Sequence, residues 1–159
     1  MTNSFRTLVV FAILFIFASA LVVDWFFTAP QSLPLLPDGK LTDAKSKAID
    51  IMITRSNLIA NWNIGTIAAC TYILLNGAAL EVKKSTLVFV FLSIVTAFYS
   101  VFFAQNIMDI VTRTLFADQD VVYSKNLLYS SSAQYLFTGI SLLLFVGSVF
   151  TSKLVENLK

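Results

Sequence analysis

Few side chains in this sequence could do chemistry. Asp24 is the only acidic residue inside an apolar run, and an ionisable group there is a functional candidate because hydrocarbon does not solvate charge. Arg55 and Arg113, at the edges of other apolar runs, are its candidate partners and complete the set of candidate intramembrane charges. Asp24 also abuts Trp25-Phe26-Phe27, an aromatic trio suited to a membrane interface, where a solvated or ion-paired carboxylate is the simpler role. Asp118 and Asp120 of "DQD" stand at i, i+2 and share no helical face, so they read as a helix start. The chain has no histidine and one cysteine, Cys70. That excludes Ser-His and Cys-His nucleophiles, an internal disulfide and a His/Cys metal set. No lysine lies within an apolar run to make a Ser-Lys dyad, and no Gly-rich phosphate loop is present. Asp24 and Asp109 are the only conceivable aspartate pair. No enzyme, cofactor or metal is expected.

Uncharged polar residues carry more information. "SNLIANWNIGTIAACTYILLNGAAL", residues 56–80, has no charge but four asparagines. Asn57 and Asn61 share a face at i, i+4, which Gly65 and Ala69 continue as a small-xxx-small pair. Asn57 lies near the outer end and Asn76 near the inner end, leaving Asn61 and Asn63 as candidates for interior hydrogen bonds. Gln134, Thr138, Ser141, Ser148 and Ser152 form one narrow stripe, with Phe145 filling the gap. Ser93, Ala97, Ser100 and Ala104 form a similar stripe. These polar positions are read as helix packing, with a pore lining as the sharper alternative. Phe98, Tyr99, Phe102 and Phe103 are read as bulk, not as a cofactor box.

The elements that must position these residues follow from composition. The chain has 159 residues, 57% hydrophobic and 13% charged, against about 25% charged in soluble domains. Its net charge of +2 gives no reason to expect nucleic-acid binding. Four apolar stretches, about 8–29, 56–80, 86–108 and 134–151, approach the 20 or so residues that cross roughly 30 Å of hydrocarbon. None contains proline, so each helix can close its own backbone hydrogen bonds. The first stretch has a rival reading, with Arg6 as a signal-peptide n-region and Ala18-Ser19-Ala20 as a cleavage site. The apolar run continues past that point, so it is read as a retained span.

Segments 1–6, 81–85 and 153–159 carry five basic residues in eighteen, and segments 30–55 and 109–133 carry six in fifty-one. The denser side is normally cytoplasmic, which puts both termini inside. Beyond the Pro-rich link, Thr42 is a plausible N-cap, and Leu41, Ala44, Ala48, Ile51, Arg55 and Leu58 recur at helical steps. Residues 42–80 therefore read as one helix of about 58 Å. The third helix is expected to continue to Phe116, and the fourth to run from near Asp118 to about Lys153. The expected fold is all-α: a polytopic membrane protein, a single domain over 1–159. It is an up-down-up-down four-helix transmembrane bundle whose helices 2–4 extend beyond the membrane on the outer side, about 42–55 and 109–133.

"ITRSNLIANWNIGTIAACTYILLNG", the aromatic third helix ending "FFAQNIMD" and the Tyr- and Gln-bearing start of the fourth helix together resemble an uncharacterised family of four-span membrane proteins. In that family an Arg-Asn element precedes a small-residue-rich second span. Here Ser56 separates Arg55 from Asn57, and the family's Trp- and His-bearing loops are missing. The resemblance implies topology and no activity. The expected role is non-catalytic: an interaction or assembly subunit of a larger membrane complex, with the lipid bilayer and other membrane subunits or copies of itself as partners. The alternative is a homo-oligomeric channel or membrane-permeabilising effector.

Overall fold

The structure is a computed structural model that describes residues 33–36, 41–76, 82, 84–117, 119–121 and 124–151. The described part is helical: α1 spans Asp43–Asn76, α2 Lys84–Phe116 and α3 Lys125–Thr151. All three are long and apolar enough to cross a membrane. The expected first span, 8–29, lies outside the described residues.

α1 begins where the sequence signals it. The Lys45 N–H donates to Thr42 Oγ1 at 3.4 Å, which satisfies one of the orphan donors of the first turn, and the Ser46 N–H donates to the Thr42 carbonyl at 3.0 Å as the first bond of the helix. Its 34 residues give about 51 Å. α2 ends at Phe116, as the sequence reading expects.

The start of α3 differs from expectation. The last helix begins at Lys125, and Asp120 does not open it; Asp118 lies outside the described residues. Ser124 caps it, accepting the Leu127 N–H on Oγ at 3.3 Å and the Leu128 N–H on its carbonyl at 3.3 Å. Asp120 is drawn elsewhere: its carboxylate is buried in an ion pair with Lys45 of α1. Its N–H donates to the Pro34 carbonyl at 2.8 Å, beside an isolated antiparallel bridge between Leu35 and Gln119. Asp120 stands four residues before Ser124, so the capping position is not its own.

One heptad frame governs the packing of all three helices. α2 buries Thr86, Ser93, Ser100, Ile107 and Thr114 at intervals of seven, and Val90, Ala97, Ala104 and Val111 four residues on from the first four. α1 buries Ile49, Ser56, Asn63 and Cys70 at intervals of seven. α3 buries Leu127, Gln134, Ser141 and Ser148 at the same interval. A buried position every 3.5 residues is the repeat of left-handed supercoiled packing.

Residue type changes along this frame. At one end Ile49, Ile107, Ile110, Val111, Val121 and Leu127 form an apolar cluster, with Leu41, Met52, Ile53 and Leu115 packed on it. Beyond it the frame turns to Ser, Asn, Gln and Ala. The switch coincides with the last charges: residues 56–76, 85–108 and 126–151 carry none. In those segments the usual order of a soluble protein is inverted. Ser93, Ser100 and Ser141 are fully buried, while Leu75, Leu143 and Phe150 are about three-quarters exposed. Apolar association is driven by water. In lipid that drive is absent, and close approach of small residues with interhelical hydrogen bonds takes its place.

Candidate functional site: a polar helix interface

The buried polar residues form three successive rungs; Ser56 to Asn63 on α1 and Ser100 to Ser93 on α2 are each one heptad, about 10.5 Å, while Gln134, Thr138 and Ser141 follow at four and three residues on α3. In the first, the Ser56 hydroxyl donates to Gln134 Oε1 at 3.0 Å and Gln134 Nε2 donates to the Ser56 carbonyl at 2.9 Å. This reciprocal pair ties α1 to α3. In the second, Asn63 Nδ2 faces three acceptors: the Ile59 carbonyl at 2.8 Å, Thr138 Oγ1 at 3.0 Å and Ser100 Oγ at 3.1 Å. Ser100 and Thr138 hydroxyls are 2.7 Å apart, and Thr138 Oγ1 donates to the Gln134 carbonyl at 2.8 Å. One carboxamide thus joins all three helices.

In the third rung the Ser93 hydroxyl donates to the Ser141 carbonyl at 2.9 Å and the Ser141 hydroxyl to the Ser93 carbonyl at 3.0 Å. A hydroxyl reaches the opposite backbone at that distance only if the helices lie close. Ala97 and Ala104, also buried on α2, permit the approach. The buried Cys70 thiol meets the Ser93 hydroxyl from α1. Further along, Ser148 is buried and bonds back to the Phe145 carbonyl at 2.6 Å. Flanking the seam, Phe137 stacks on both Tyr99 and Phe103, with ring centroids 5.3 and 5.7 Å away. Asn106 Nδ2 and Ser130 Oγ are buried with no hydrogen-bond partner among the described residues.

The expected stripe on α3 is therefore brought together. Gln134, Thr138 and Ser141 all bond to α1 or α2, and the Ser93–Ser100 stripe of α2 is what Ser141 and Thr138 meet; Ser152 lies outside the described residues. The expected stripe on α1 is not brought together. Asn57, Asn61, Gly65 and Ala69 all face outward, and a side chain at Gly65 would meet nothing within 4 Å. The buried face lies at Ser56, one residue before Asn57, and at Asn63, two residues after Asn61. Asn76 bonds to its own helix at the Tyr72 carbonyl, 3.0 Å away.

Two of the three candidate charges fall on described residues. Asp24 lies outside the described residues. Arg113 pairs with Asp109 at 2.7 Å, i, i+4 along α2, with two-thirds of its side chain exposed. Arg55 is exposed and has no ion-pair partner among the described residues. The described residues also hold no group of three or more His, Cys, Asp or Glu side chains that could bind a metal.

No family model, characterised protein or solved structure matches this chain. Its class is accordingly defined by its own architecture: an all-helical protein whose described residues form three apolar helices, compatible with an integral membrane protein.

Proposed function

We propose that the chain is a non-catalytic integral membrane protein that serves as an interaction or assembly subunit of a larger membrane complex. In this reading residues 8–29 supply a fourth span, both termini are cytoplasmic, and the charged ends of α1, α2 and α3 stand outside the membrane.

One observation carries the assembly role. Asn57 and Asn61 project from the charge-free apolar segment 56–76 of α1 with no hydrogen-bond partner among the described residues. A carboxamide facing hydrocarbon is costly, and a polar or small-residue face on a neighbouring helix removes that cost. The channel alternative needs a wettable path, and the strongest polar stripe, on α3, is instead engaged with α1 and α2. That favours the subunit role.

Site-specific photo-crosslinking in native membranes tests it. A photoreactive residue at position 61 is expected to give a discrete protein adduct, while one at Leu143, three-quarters exposed, should give lipid adducts alone. Lipid adducts at both positions would remove the reason for an assembly role.

A further inference from the structure

We propose that the cleft between α1 and α3 binds an amphiphile with an anionic head, a carboxylate or a phosphate monoester. Two adjoining chambers open there and share Ala48, Met52 and Ser131. The first, about 340 Å³, is lined by Arg55, Ser131, Gln134 and Tyr135 among others. The second, about 240 Å³, is walled by Ile49, Met52, Val121, Leu127 and Leu128. Together they have the size and the apolar-with-few-polar character of a small-molecule site.

The polar groups of the first chamber specify the head. Arg55 is the only charged residue on its described walls. Arg55, Ser131 and Tyr135 have no hydrogen-bond or ion-pair partner among the described residues. Gln134 is 1% exposed and spends one N–H of its Nε2 on the Ser56 carbonyl, and a carboxamide nitrogen carries two. Ser131 and Tyr135 stand at i, i+4 on α3, on one face. Four groups able to donate, one of them cationic, line a single space, and an anion with two or more oxygens can accept from them. No acid stands three or four residues from Arg55 on α1 to neutralise it. The apolar chamber next to this head site selects against a free inorganic anion and takes the hydrocarbon part of the ligand.

The test uses the full chain in lipid nanodiscs with three probes of one alkyl-diazirine length: a carboxylate, a phosphate monoester and an uncharged alcohol. Crosslinks are mapped by peptide mass spectrometry. At least one anionic probe is expected to concentrate on residues 48–52 and 127–131, with the alcohol labelling there roughly tenfold less, the scale of one charge-assisted hydrogen bond. The stronger of the two anionic probes identifies the head. Arg55→Gln should lower anionic labelling about tenfold, Tyr135→Phe should lower it by a smaller factor, and Lys47→Gln, an exposed lysine elsewhere on α1, should leave it unchanged. Arg55 is exposed, so loss of fold is not expected, and circular dichroism checks it. Equal labelling by all three probes, or anionic labelling that Arg55→Gln leaves intact, overturns the proposal.

Discussion

Asn63→Leu is expected to destabilise the fold by about 2–4 kcal/mol. Asn63 is 1% exposed, and its Nδ2 bonds to Ser100 and Thr138. Two interhelical hydrogen bonds at about 0.6 kcal/mol each give a little over 1 kcal/mol. The branched leucine adds roughly 1–3 kcal/mol of overpacking where three helices meet. Asn61→Leu, two residues away on the outward face, should change monomer stability by less than about 0.5 kcal/mol. Unfolding in a graded detergent series measures both. Equal effects from the two substitutions would show that the buried face of α1 is not the one through Ser56, Asn63 and Cys70.

The second large effect lies at the charged end. Lys45→Met should cost about 3 kcal/mol, because it leaves the Asp120 carboxylate, 4% exposed, without its ammonium partner. Lys45 itself keeps 30% of its side chain in contact with solvent, which holds the expectation to the lower end of the range for breaking a buried pair. Replacing both groups, Lys45→Met with Asp120→Leu, should recover most of the loss, since a buried pair and a well-packed apolar pair are often nearly equivalent. Thermal unfolding of the three proteins decides it. A single variant as stable as the parent would mean that the pair contributes nothing to closing this end.

The residues of the seam differ in how far the sequence disclosed them. The α3 stripe was legible because Gln134, Thr138, Ser141 and Ser148 stand out among leucines and phenylalanines, and polar residues at helical spacing in an apolar segment have one economical destination. On α1 the same logic singles out a face that does not meet α2 or α3. Four asparagines compete there, and the i, i+4 pair Asn57 and Asn61 looks the more regular face. What decides between faces is the partner, and Ser100, Thr138 and Gln134 lie 37 to 78 residues away in sequence. A heptad reading could have found the true face, because Ile49, Ser56, Asn63 and Cys70 keep strict step with Leu127, Gln134, Ser141 and Ser148.

Asp120 was misread for a related reason. A local pattern, acid before an apolar helix, was matched to a local role, while its partner Lys45 is 75 residues away. The end of α2 at Phe116 and the cap at Thr42 were read correctly because both depend on neighbours within a turn.

The central claim is that the polar seam is a dry packing surface between helices that lie in a bilayer. Ser141→Cys tests it most directly, in a Cys70→Ser background and reconstituted into liposomes. Ser141 is fully buried against Ser93, and cysteine is close to serine in size, so the fold should survive the change. A hydrophilic thiol reagent is presented on both sides of the membrane, with Lys125→Cys, at an exposed position, as the reference. Dry packing predicts that Lys125→Cys reacts to completion while Ser141→Cys remains unmodified until the protein is unfolded. Reaction of Ser141→Cys in the folded protein at a rate near that of Lys125→Cys would mean that water runs along the seam, and would contradict the account.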